Sequence, residues 1–181
     1  MNLHPSSAAR RTLAAAAVAC AAALVPAAAL ASPGDAGAAR TATPPCATSG
    51  LDVWLNTQGS GAAGHTFYFL NFTNLSGSTC TLFGYPGVSA VTLTGTQLGN
   101  AASRSGTTPH TVTLANGSTT HALVGIVNPG VIPASQCHPV TAAGLRVYPP
   151  NQTKSEVAPY PFTACSKSGT AYLSVGPVGF P

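Results

Sequence analysis

The chain has 181 residues, with 7 Lys+Arg against 3 Asp+Glu and a formal net charge of +4. Only 6% of residues are charged while 45% are apolar, against the ~25% charged residues of an ordinary soluble domain. That balance excludes a coiled coil or long exposed helix, which needs many Glu, Lys and Arg, and a nucleic-acid binder, which needs a dense basic stripe.

Arg10 and Arg11 close a short positively charged segment. An uncharged apolar run from Thr12 to Ala31 follows and ends in Ala29-Leu30-Ala31, a small-x-small cleavage pattern. Residues 1–31 therefore read as a secretory signal peptide. A retained membrane anchor is the competing reading, because the run approaches the ~20 apolar residues a bilayer needs. Pro26, the alanine-heavy composition and the lack of a following charge cluster argue against it. Ala17-Val18-Ala19-Cys20 loosely resembles a lipobox, which would place a lipid anchor on Cys20. The large aliphatic residue usual three positions before the cysteine is missing. Arg10-Arg11-Thr12-Leu13 is a partial twin-arginine signal, so the export route stays open.

The mature chain begins at Ser32. Arg40, Arg104, Arg146, Lys154 and Lys167 then oppose Asp35, Asp52 and Glu156. A net charge of +2 points to no class of partner. Residues 32–45 are Ala, Gly, Pro and Thr without periodicity and read as a flexible tether. Residues 46–181 form one domain.

Four cysteines remain in that domain: Cys46, Cys80, Cys137 and Cys165. An even count in an exported chain implies two disulfides, for which three pairings exist. Each half of the domain holds two cysteines spanning a comparable loop, which favours Cys46–Cys80 with Cys137–Cys165. Zinc is the weaker reading: there is no C-x-x-C and no His pair at i, i+4.

Helix signals are nearly absent. Leu51, Val53 and Leu55 alternate with Asp52, Trp54 and Asn56, giving a strand with one apolar face. His65 to Asn74 is the strongest strand, with Tyr68, Leu70 and Phe72 facing one way and Phe67 and Phe69 the other. Apolar residues on both sides imply a covered central strand; an exposed aromatic patch at Phe67 and Phe69 is the alternative. Val88 to Thr94 is a strand with Val91 and Leu93 inward. His110 to Leu114 and Thr119 to Val127 flank Asn116-Gly117 and read as a hairpin, with His110 opposite Leu123 and His121 opposite Val112. Gly144 to Tyr148 is a strand with Leu145 and Val147 inward, stopped by Pro149-Pro150. Thr170 to Val175 closes the domain. Seven or eight short strands separated by turn signals imply an all-β fold, an antiparallel β-sandwich of immunoglobulin-like or jelly-roll-like topology.

The run Asn74-Leu75-Ser76-Gly77-Ser78-Thr79-Cys80-Thr81-Leu82, then Gly84-Tyr85-Pro86-Gly87-Val88, is more specific. An early Cys46, an Asn-Gly-Ser turn, Leu145-Arg146-Val147-Tyr148-Pro149-Pro150 and Cys165 surround it. This layout resembles the actinobacterial secreted family called domain of unknown function 4232, over about Cys46 to Val178. The resemblance implies an exported, often tethered or lipid-anchored β-rich domain with two cysteine pairs. It supplies no catalytic residue. Many members carry a Trp in the strand after the Asn-Gly-Ser turn, where this chain has Val124-Gly125-Ile126.

A search for chemistry finds little. Outside the tether the acids are Asp52 and Glu156, and hydrolysis by paired carboxylates would require both to converge. Gly87-Val88-Ser89-Ala90-Val91 fails the nucleophile-elbow pattern at its last position. No phosphate-binding glycine loop is present. His65, His110, His121 and His138 read as ordinary surface or strand histidines. The four N-x-S/T sequons, at Asn71, Asn74, Asn116 and Asn151, read as strand and turn chemistry.

The expectation is therefore a secreted or envelope-associated, non-catalytic β-sandwich that binds or spaces something outside the cell. It has no cofactor, no metal, no nucleic-acid partner and no membrane span in the mature chain. The candidate binding surface is Trp54, Phe67, Phe69, Tyr85 and Tyr160, whose rings would stack on envelope glycan or meet another extracellular protein. Trp54 serves equally as a core plug beside Cys46. A secreted protease inhibitor presenting Pro133 to Pro139 on a disulfide-anchored loop is the alternative, and a hydrolase the more distant one.

Overall fold

The computed structural model describes residues 42–181. The expected leader at residues 1–31, with Cys20, and residues 32–41 of the expected tether lie outside the described residues. Eleven strands run in chain order: β1 (Leu51–Ala62), β2 (His65–Asn74), β3 (Cys80–Phe83), β4 (Gly87–Val91), β5 (Gln97–Leu98), β6 (Ser103–Arg104), β7 (Thr111–Leu114), β8 (Thr119–Val127), β9 (Pro139–Tyr148), β10 (Glu156–Cys165) and β11 (Leu173–Val175). Among the described residues, helix is confined to single turns at Thr48–Gly50, Pro129–Val131 and Ala134–Cys137.

The strands form a five-stranded sheet in the order β1-β2-β8-β11-β6 and a four-stranded sheet in the order β10-β9-β4-β5. A small third sheet pairs β3 with β7. Every pairing is antiparallel except β11 with β6 at one edge. The expected all-β sandwich and both expected bridges, Cys46–Cys80 and Cys137–Cys165, are present.

The core follows from strand parity. Leu51, Val53 and Leu55 of β1, with Leu70 and Phe72 of β2, point inward. They join Val88 and Ala90 of β4, Val124 of β8, Leu145 and Val147 of β9, and Ala158 of β10 in one buried cluster. Full burial of each large side chain contributes ~1.5–3 kcal/mol, so this shared core joins the two large sheets.

Four sequence expectations are corrected. The Asn116-Gly117 turn does form, with Gly117 at φ +81° and Ser118 N–H donating to the Ala115 carbonyl at 3.0 Å. The strands around it do not pair as a hairpin: β7 pairs with β3, and β8 lies between β2 and β11. His121 therefore sits opposite Asn71, not Val112, and His110 lies outside any strand. Leu93 does not face inward. The strand ends at Val91, and Leu93 stands 96% exposed in a turn closed by Thr92 N–H donating to the Thr96 carbonyl at 2.9 Å.

The strand expected at Gly144 starts at Pro139, and β10 was not anticipated at all. β10 contains Pro159 and Pro161, which lack the N–H a central strand needs. It accordingly runs at a sheet edge, with a register shift between Pro159 and Phe162. At the other end, Thr81 N–H donates to the Pro44 carbonyl at 2.9 Å. The chain thus joins β3 two residues before Cys46.

Candidate binding surface

The motif carrying the family resemblance is a folding device. Asn74 is fully buried, and its amide donates to the carbonyls of Ser78 at 2.8 Å and Leu114 at 2.9 Å. Its carbonyl oxygen accepts from the Ser76 N–H at 3.0 Å and the Ser76 hydroxyl at 2.7 Å. All four hydrogen-bonding sites of the carboxamide are engaged. Its backbone N–H reaches the Ser118 carbonyl at 2.9 Å, tying this turn to the Asn-Gly-Ser turn. Gly77, at φ +81°, sends its N–H to Asn116 Oδ1 at 2.8 Å. The Asn-x-Ser-Gly spacing is thus accounted for by internal bonds. The buried, engaged amides of Asn71 and Asn74 also leave those two sequons without an accessible acceptor nitrogen.

The outer face of the five-stranded sheet is different. β1, β2 and β8 align there in rows: Asp52–Thr73–Thr119, then Trp54–Asn71–His121, then Asn56–Phe69–Leu123, then Ser60–Phe67–Gly125. Side chains in one row lie ~5 Å apart, and successive rows on one face ~7 Å apart. Trp54 is 42% exposed, which settles its position on the solvent face and not in the core. Its indole N–H donates to Thr73 Oγ1 at 3.3 Å, and Thr73 and Thr119 share a hydroxyl bond of 2.9 Å. The ring is thereby tethered to the sheet.

Phe69 packs against His121 with ring centroids 4.4 Å apart and meets Phe180 at 6.4 Å. His65 stacks on Phe67 at 6.0 Å and an interplanar angle of 8°. Both phenylalanines are half-buried, between the covered and exposed alternatives. Phe67 also lies over Gly125 of β8. A Cβ on Gly125 would meet Phe67 Cε1 at 2.9 Å and Ser174 Oγ at 2.5 Å, so the ring occupies the space above that glycine.

The structure thus brings Trp54, Phe67 and Phe69 onto one face and leaves Tyr85 and Tyr160 off it. The Tyr85 hydroxyl donates to the Thr107 carbonyl at 3.0 Å, and the Arg104 guanidinium lies 5.6 Å from its ring centroid. That arrangement pins the segment after β6. Tyr160, on β10, donates its hydroxyl to the Tyr68 hydroxyl at 2.6 Å. Burial, then the Tyr68 hydroxyl, pushes the Tyr160 phenol up to about 12. The two tyrosines line a depression of about 170 Å³ with Phe162 and Pro129. It adjoins a shallow trough of about 630 Å³ along residues 128–134.

His121, Asn71, Thr73 and Phe180 complete the face and were not singled out from sequence. Asn71 and Thr73 share the parity of Phe69, a signal that was available. His121 and Phe180 reach the face through non-local pairing. Asp52 and Glu156 are both exposed. Among the described residues, no three His, Cys, Asp or Glu side chains gather as a metal site, and no helix is long and apolar enough to cross a membrane.

No curated protein and no solved structure matches the chain significantly. One family model does, over residues 46–179, which takes in both disulfides, the Asn74 turn and every strand. The chain belongs to the family described as domain of unknown function (DUF4232).

Proposed function

We propose that this protein is an exported, envelope-associated, non-catalytic binding module that holds a polysaccharide chain against the outer face of its five-stranded sheet. The observation that carries this reading is the register that sets Trp54 and His121 in one row, with Phe69 in the next. A sugar ring has apolar C–H faces and a rim of hydroxyls. A rigid sheet presenting tethered rings beside hydroxyl and imidazole groups matches both features. The leader pattern and two disulfides suit an oxidising compartment outside the cytoplasm. Asp52, in the first row of this face, and Glu156, on β10 of the other sheet, are both exposed.

The inhibitor reading fits less well. Pro133 to Pro139 is anchored by the Cys137–Cys165 bridge, but Ala134–Cys137 is a helical turn in which His138 N–H donates to the Ala134 carbonyl at 2.8 Å. Strand-like pairing of a peptide with a protein requires an extended backbone.

The test is retention of the full mature chain on purified, insoluble bacterial cell-wall glycan, with microcrystalline cellulose as a second planar polysaccharide. Retention by cell-wall glycan is expected, and Trp54→Ala or Phe69→Ala should weaken it about tenfold, the ~1.4 kcal/mol scale of one aromatic contact. A wild-type chain that passes through both columns removes the glycan reading.

A further inference from the structure

Neither disulfide joins the two large sheets. Cys46–Cys80 ties the segment before β1 to β3, and Cys137–Cys165 ties a helical turn to the end of β10. Among the described residues, a side-chain hydrogen bond that does join a strand of one to a strand of the other is Tyr68 of β2 against Tyr160 of β10. We infer that this pair is a modification site, at which a peroxidase-type one-electron oxidant converts a hydrogen-bonded inter-sheet contact into a covalent dityrosine staple.

The geometry favours that product over any other tyrosine chemistry. The two hydroxyls are 2.6 Å apart, and the rings have centroids 5.1 Å apart and planes tilted by 59°. In a dityrosine the new carbon–carbon bond joins positions ortho to the hydroxyls. The two hydroxyls then flank that bond and hydrogen-bond to each other across twisted rings. The native pair already has that hydroxyl contact and two adjacent, tilted rings. Both side chains are half-exposed and line an open depression, which admits a small oxidant.

The other tyrosines are placed differently. The Tyr85 and Tyr172 hydroxyls each donate to a backbone carbonyl, and Tyr172 is 1% exposed. Tyr148 lies on β9, outside the Tyr68–Tyr160 contact.

The step balances. Each phenol loses one electron and one proton, and the two phenoxyl radicals couple through their ortho carbons. The hydrogen on each of those carbons then returns to its oxygen, restoring both rings. One hydrogen peroxide takes up the two electrons and two protons and becomes two waters. The net change in the protein is the loss of two hydrogen atoms.

The experiment treats the folded mature chain with hydrogen peroxide and a haem peroxidase, then separates monomer from covalent dimer. Expected are blue dityrosine fluorescence in the monomer, a mass lower by two hydrogens, and one cross-linked peptide containing Tyr68 and Tyr160. Tyr160→Phe should abolish the monomer fluorescence. The cross-linked monomer should unfold at higher urea concentration, because the staple restricts the unfolded chain. Peptide mapping of the wild-type chain decides the matter even if the variant folds poorly. The inference is overturned by fluorescence confined to covalent dimers, by a monomer cross-link through Tyr85 or Tyr148, or by an unchanged unfolding midpoint.

Discussion

The Asn74 turn and the Trp54 face are made from the same small polar residues, yet they use hydrogen bonds differently. In the turn, Asn74 commits two donors and two acceptors to Ser76, Ser78 and Leu114, and no bonding capacity faces outward. On the face, Trp54, Thr73 and Thr119 form a short chain of two bonds that ends at solvent. A polar group saturated from within can only hold the fold. A polar group with capacity left at the surface can meet a ligand. By that criterion the Asn74 motif is architecture, and the sheet face is where the proposed binding chemistry would reside.

The comparison breaks first at Asn74. Asn74→Ala removes the amide that meets the buried Leu114 carbonyl, together with the bonds that order Ser76 and Ser78 in the exposed part of the turn. The buried Leu114 carbonyl costs ~1–3 kcal/mol when left without a partner and each lost exposed bond costs less, so a total loss of about 2–3 kcal/mol is expected in urea unfolding. Glycan retention per folded molecule should be unchanged. A loss below about 1 kcal/mol would mean that the turn is not the internal anchor described here.

Phenol titration sharpens the same contrast between engaged and open groups. Burial pushes the Tyr172 hydroxyl up to about 12, and burial with the Tyr68 hydroxyl does the same to Tyr160. Both native values lie above the ordinary ~10 of an unfolded chain. Between those values the unfolded state has released protons that the native state retains. The stabilisation is therefore complete below pH 10 and declines as pH rises through 12. Ultraviolet titration should show two of the five tyrosines ionising late, and Tyr160→Phe should remove one of them. If every phenol ionises near 10 with no loss of stability, the two hydroxyls are not held as described.

How much of this was legible in the sequence depended on whether a local rule had a non-local competitor. The alternation of Leu51, Val53 and Leu55 marked the apolar face of β1, but Trp54 stood equally as a core plug beside Cys46, and only its 42% exposure places it outward. Both bridges followed from the even cysteine count and matched loop lengths. Leu93 was misread because its alternation continues for two residues after the hydrogen-bonded ladder has ended. The Asn116-Gly117 turn obeyed its local preference, but Cys80–Phe83 captured β7 and left β8 to β2 and β11. β10 was hidden by Pro159 and Pro161, which mark an edge strand as readily as a loop. His121 and Phe180 join the site only through pairing across more than forty residues of chain, which no periodicity records.

Trp54 separates fold from binding most sharply because its two effects should diverge. Its ring is tethered by one 3.3 Å bond and is 42% exposed. Trp54→Ala should therefore change stability by under about 1 kcal/mol, the range of a surface substitution that loses one weak bond. Thr73 keeps its bond to Thr119, so no buried group is orphaned. Yet the same change removes the largest ring of the face and should weaken glycan retention about tenfold. Thr73→Val supplies the intermediate case. It frees the indole from its tether while leaving the ring in place, so retention should fall by less than in Trp54→Ala. Equal losses from the two variants would show that ring orientation, and not ring area, governs the contact.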